Sequence, residues 1–184
     1  MNLSFLGPFH PQIVHTPVAL LIFSAFFALV ARLFDRDWLR KTSVLLLVIG
    51  FVGAWFAVQS GGPAHRVPEH EQGVPEEEID EHADLGKLTL KLAGGAIVAI
   101  ALASRFTGLA AGALSGLGLA LQLAAAITVG LAGYEGGKLV YDHGANVKVD
   151  GRLVKSANAD SIKEERERKR AERQHGEAEG QERR

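Results

Sequence analysis

The sequence predicts an all-α integral membrane protein: an antiparallel four-helix transmembrane bundle with a short outward β-hairpin and a charged C-terminal tail. Three observations predict it. Residues 13 to 134 are mostly Ala, Leu, Ile, Val, Phe and Gly, in four runs close to the roughly 17 to 25 residues that a spanning helix needs. None of these runs has the polar face that a helix of a soluble bundle carries. The first and third connections are short, which makes the helices they join antiparallel neighbours.

Span one is expected over residues 17–34, with Thr16 as N-cap and Pro17 in the first turn. Span two covers 43–60. Span three covers 87–104, where Lys87 and Arg105 can snorkel to the two interfaces. Span four covers 109–134. These spans form one domain over residues 1–145. Val147 to Val154 then alternates around Asp150-Gly151, the signal of a hairpin with a type I′ turn within residues 146–156. The tail, 157–184, pairs Glu164 with Arg168 and Glu165 with Lys169 at helical spacing but has no apolar stripe. It is expected to be a solvated, partly helical or disordered appendage.

Small residues show where helices should meet. Gly108, Gly112 and Gly116 repeat every fourth residue, as do Ala124 and Thr128, and Gly50 pairs with Ala54. Such rows allow close approach in lipid, where no hydrophobic force drives association. Gln122, in the middle of span four, is expected to form an interhelical hydrogen bond.

Charge sets the expected orientation. Arg32, Arg36, Arg40 and Lys41 flank the first connection and Arg105 the third, whereas the stretch from Gly61 to Gly86 is strongly acidic. Basic connections stay in the cytoplasm. Both termini and the acidic loop are then expected outward, in the inner membrane of a bacterium. Residues 1 to 30 lack the positive n-region of a signal peptide, so the first span is expected to remain uncleaved. The net charge of −1 carries no partner information, and the balanced tail argues against nucleic acid. Cysteine is absent and Met1 is the single methionine, which excludes disulfides, thiolate clusters and soft Cu(I) ligation.

The chemistry rests on histidine. The chain has seven, and six (His10, His15, His65, His70, His82 and His143) fall on the expected outer side. At about 1.5 Å per helical residue, His15 stands ~28 Å above Phe34 and His82 ~33 Å above Ser104. His143 reaches that level only if the chain folds back at Gly136-Gly137, which is the expected hinge. A haem b needs one or two imidazoles from facing helices and an apolar slot. His15 with His82, or His65 with His143, are the candidate axial ligands, with His10 higher up. A zinc or copper(II) site needs three or four nitrogen or oxygen ligands, which His65, His70, Glu78 and His82 could supply. The cationic Arg66 or Lys87 suits haem propionates. No histidine lies on the inner side, so a two-haem wire across the bilayer is not expected.

Two motifs carry a family resemblance. His10-Pro11-x-x-Val14-His15-x-Pro17 opens span one, and Gly136-Gly137-x-Leu139-Val140-Tyr141-x-His143-Gly144 follows span four. Over about residues 8 to 150 the chain resembles the bacterial membrane family called domain of unknown function 2231. The resemblance implies a four-span membrane protein of undetermined activity, with His10, His15 and His143 as motif positions. It implies no catalytic residue. Some relatives carry cytochrome-like modules, which favours redox chemistry, and the charged tail departs from the family pattern.

The sequence thus supports a membrane protein with an outer-face histidine site that binds haem b or a transition metal for electron transfer with a redox protein partner. Two alternatives stay open: a structural or accessory membrane subunit without cofactor, and a metal-dependent membrane enzyme. The non-enzymatic readings are preferred.

Overall fold

The computed structural model describes residues 4–156 together with 159–161, 163–164, 167–168 and 172. A 3₁₀ segment, Ser4–Phe9, leads into a short helix α1 (His10–Ile13). Four long helices follow: α2 (His15–Phe34), α3 (Asp37–Val67), α4 (Glu76–Ala103) and α5 (Gly108–Tyr141). All four are long and apolar enough to cross a membrane. Helix α2 packs on α3 and α5, and α4 packs on the same two, so the bundle closes as a ring of antiparallel neighbours. The expected fold class holds.

The start of α2 differs from expectation. Thr16 is helical, and the preceding cap position is Val14, which makes no side-chain capping bond. Pro17 lies in the first turn as expected. Having no N–H, it leaves the Ile13 carbonyl without a helical partner, which interrupts the helix at Val14 between α1 and α2. At the other end, Asp35 takes a left-handed conformation (φ +47°) and Arg40 reaches back to it at 3.2 Å.

Helix α3 has 31 residues and α5 has 34. At 1.5 Å per residue these are about 46 and 51 Å long, well beyond a hydrocarbon core of about 30 Å. The excess lies at the histidine end and corrects two expectations. The stretch from Gly61 to Gly86 is not a loop. Helix α3 runs through Pro63 to Val67, a π turn covers Pro68–Gln72, and α4 begins after three intervening residues. Gly136 and Gly137 are not a hinge either, since α5 continues through both to Tyr141. Glycine lowers helix propensity by only about 1 kcal/mol, too little to break a helix whose neighbours are packed.

The central core consists of Leu21, Leu47, Ala54, Ala93, Ala96, Ala125 and Val129. Gly50 works as expected: a Cβ there would lie 2.8 Å from Leu21 Cδ2. The Gly108, Gly112 and Gly116 row does not, because no atom of another element stands within 4 Å of a Cβ at any of them. Gly118 makes the close contact instead, 2.7 Å from Ile100 Cγ1. Two residues turn a helix by about 200°, so Gly118 faces the bundle while Gly116 faces away. Gln122 meets its expectation: buried, it donates to Ser24 Oγ at 2.6 Å and Ser43 Oγ at 2.9 Å.

The hairpin is present as β1 (Lys148–Val149) and β2 (Arg152–Leu153), paired antiparallel with Lys148 opposite Leu153. Asp150 (φ +50°) and Gly151 (φ +75°) supply the two left-handed residues of a type I′ turn. In the tail, Arg168 Nε lies 3.7 Å from Glu172. Glu165 and Lys169, expected as a pair, lie outside the described residues, as does everything after residue 172.

Candidate functional site

At the histidine end of the bundle, α1, α3 and α4 bring three imidazoles together. The ring centroids of His10 and His65 are 6.4 Å apart, those of His10 and His82 6.1 Å, and those of His65 and His82 6.3 Å. All three are half-buried and steeply inclined to one another.

Hydrogen bonds fix two of the rings and their tautomers. Ser60 Oγ donates to the Ala57 carbonyl at 3.0 Å, so its hydroxyl hydrogen is committed. With the hydroxyl so placed, His10 Nδ1, 2.8 Å from the same oxygen, is assigned as the donor. His82 Nδ1 donates to the Ala132 carbonyl on α5 at 2.9 Å. Both imidazoles thus keep a lone pair on Nε2. His65 makes no side-chain hydrogen bond among the described residues, so its one lone-pair nitrogen, on either tautomer, is not tied to protein.

Glycines let backbone approach the rings. A Cβ on Gly136 would lie 2.9 Å from His82 Cε1 and 3.2 Å from Nδ1, but 3.8 Å from Nε2. Of the two ring nitrogens, Nε2 is thus the farther from the Gly136 backbone. Gly61 is less tight, with His10 Cε1 at 3.5 Å and His65 Nε2 at 3.8 Å from its Cβ position.

The triangle can be tested against a metal ion. Its centre is about 3.6 Å from each centroid, whereas a ligating imidazole puts its centroid about 3.2 Å from the ion for a metal–nitrogen bond near 2.0–2.1 Å. Among the described residues no three His, Asp or Glu side chains already stand at ion-binding separations. Binding an ion there requires each ring to move inward by about 0.4 Å and to turn a nitrogen toward the centre.

The remaining predicted residues are distributed differently. His15 is exposed and its Nδ1 donates to the Pro11 carbonyl at 2.6 Å, so it does not face the bundle beside His82. Five helical residues separate His10 from His15, a rotation of about 140°, and only one of them can turn inward. His10 does. His143 stands above the triangle because α5 does not fold back. Its Nε2 is 2.8 Å from Glu78 Oε2 and its Nδ1 3.1 Å from Ser156 Oγ. The set His65, His70, Glu78 and His82 is therefore divided: Glu78 pairs with His143, and the exposed His70 lies 3.7 Å from Glu69. Ser60, Ala132 and Gly136 frame the site and have no chemical signature in the sequence. Gly136 was visible as part of a motif, where its proper meaning is close approach.

The family profile described as predicted membrane protein (DUF2231) matches residues 7–149. The chain belongs to this family. No curated protein and no solved structure matches it. Both histidine motifs lie within the matched residues: His10 supplies a corner of the triangle, and Gly136 the gap that seats His82. The protein is thus a multi-pass membrane protein, with the lipid bilayer as the partner of its apolar outer surface.

Proposed function

We propose that this member of the DUF2231 family binds a first-row transition metal ion, copper or zinc, through His10, His65 and His82 at the outer face of the bacterial inner membrane. The observation that carries the reading is the convergence of three imidazoles from three helices. Two of them have the Nδ1 nitrogens tied back to protein oxygens. Ligating histidines characteristically donate their second nitrogen in this way, which fixes the tautomer and aims the lone pair. Neutral imidazole suits copper and zinc. With copper the site supports one-electron exchange with a redox protein at the outer face; with zinc it does not.

Orientation rests on the charges. Arg32, Arg36, Arg40, Lys41 and Arg105 gather at the basic end, opposite the histidines, and basic connections stay in the cytoplasm. This supports an outward site and outward termini.

A compact ion fits better than haem b. Axial imidazoles of a bis-histidine haem have centroids about 6.3 Å apart, a spacing that any two of these rings match. However, the third imidazole stands in the plane that a macrocycle between them would occupy, and the Gly136 backbone stands directly against His82. A macrocycle needs that space as an open slot. The enzyme reading loses Glu78 to its pairing with His143.

Elemental analysis, a visible spectrum and electron paramagnetic resonance of the detergent-purified protein test the proposal. The expected result is stoichiometric metal that is lost on His10→Ala, His65→Ala or His82→Ala, and an imidazole-nitrogen signal when copper(II) is bound. A Soret band would replace the ion by haem. A protein that takes up neither ion when either is supplied would leave the histidines a structural role.

A further inference from the structure

The segment that follows α5 is fastened to the turn between α3 and α4, beyond the histidine triangle, and its ties converge on one side chain. Gln72, fully buried, donates to the Gly144 carbonyl at 2.7 Å and to the Val154 carbonyl at 2.5 Å, and its Oε1 accepts from Asn146 N at 2.7 Å. Its own carbonyl accepts from Ser156 N at 2.9 Å. Neither terminal atom of this amide is left without a partner. It joins both ends of the hairpin segment to the turn between α3 and α4.

The other ties reach the helices that carry the imidazoles. Asn146 Nδ2 donates to the carbonyl of Ala64, the residue before His65, at 3.3 Å. His143 bridges Ser156 to Glu78, which stands one turn beyond His82 on the same face of α4. Between the ties lies a second apolar cluster of Val74, Ile79, Leu139 and Ala145. Ile79 is three residues outward from His82, and Leu139 three outward from Gly136, so this layer covers the triangle one turn above it. Ala145 belongs to the fastened segment. Lifting that segment therefore removes part of the layer.

We propose that residues 142–156 form a lid that governs access of the metal ion from water to His10, His65 and His82, with Gln72 as its keystone and His143–Glu78 as its latch. This rests on the metal-binding reading for its ligand but not for its geometry. The segment has the composition of a movable part. Only Ala145 and Ser156 of it are buried, its sheet has two residues per strand, and its attachment is by discrete polar ties. Such elements open at a small fraction of the cost of global unfolding. Closing it protects the bound ion from exchange; opening it admits or releases the ion.

Two measurements on the full chain in detergent test the lid and keep its failure separate from that of metal binding. In the first, the metal-free protein is treated with diethyl pyrocarbonate, and modification of each histidine is followed by mass spectrometry. Gln72→Ala and Glu78→Gln should raise the rate at His10, His65 and His82 by about tenfold, with the exposed His15 unchanged as internal reference. In the second, copper(II) and zinc(II) association and dissociation are followed by stopped flow. Both rates should rise together in the variants, with the affinity changed less than either. Unchanged modification rates in Gln72→Ala, in a sample whose amide exchange at residues 144–156 shows the segment released, would overturn the lid. Faster modification without any metal uptake by the wild type would keep the lid and overturn the metal reading.

Discussion

Replacing Gly136 by alanine offers a sharp test of how the site is built. The added Cβ would meet His82 Cε1 at 2.9 Å and Nδ1 at 3.2 Å, where carbon–carbon contacts prefer about 3.5–4.0 Å. Helix α5 cannot retreat without leaving its other contacts, so the ring moves by about 0.6–1 Å. The His82–Ala132 bond, now 2.9 Å, then passes the limit of useful geometry. Its loss costs about 0.5–1.5 kcal/mol, and alanine regains up to about 1 kcal/mol of helix propensity, so stability should change by less than about 1 kcal/mol. Metal affinity should suffer far more. Loss of a group that orients a ligating histidine typically weakens binding about 10- to 100-fold, or about 1.4–2.7 kcal/mol. Gly137→Ala is the control, because its Cβ would meet only Tyr141 Cδ2, at an ordinary 4.0 Å. Copper(II) or zinc(II) titrations and thermal unfolding of both variants in detergent measure the contrast. Equal affinity in wild type and Gly136→Ala, or equal loss in the two variants, would refute the claim that α5 seats His82 for ligation.

Three further predictions concern other parts of the molecule. His10→Ala should abolish high-affinity metal uptake while His15→Ala changes it less than about twofold, since His15 is exposed and bonded to Pro11; isothermal titration measures both. Gln122→Leu removes the bonds to Ser24 and Ser43 and should lower stability in detergent by about 0.5–2 kcal/mol, with a Gln122–Ser24 coupling near 0.6 kcal/mol in a double-mutant cycle. Gly118→Ala should destabilise by about 1–3 kcal/mol through Ile100, whereas Gly112→Ala, with nothing within 4 Å, should be neutral or slightly stabilising; chemical unfolding separates them.

By itself the sequence determined the class of the protein and much of its plan. Four apolar runs without a polar face have no stable place in water, and short connections between them impose antiparallel neighbours. Asp150-Gly151 determined the hairpin turn, because its two positive φ angles suit those residues. Gln122 was legible as an interhelical bond because a polar amide in hydrocarbon must find a partner. The two histidine motifs placed the chain in its family.

Only the tertiary structure decided which histidines meet. Counting residues gives depth along a helix but not the direction a side chain faces, and depth alone favoured His15. The rotation of about 140° between positions 10 and 15 turned His10 inward instead. Depth counting also assumed that helices end where their apolar runs end. Here α3, α4 and α5 continue into water, where packing against one another supports their polar turns, and this carries His143 past the triangle to Glu78. The role of Gly136 likewise depended on its neighbour. A glycine within a helix leaves space, and only the position of His82 shows what the space is for.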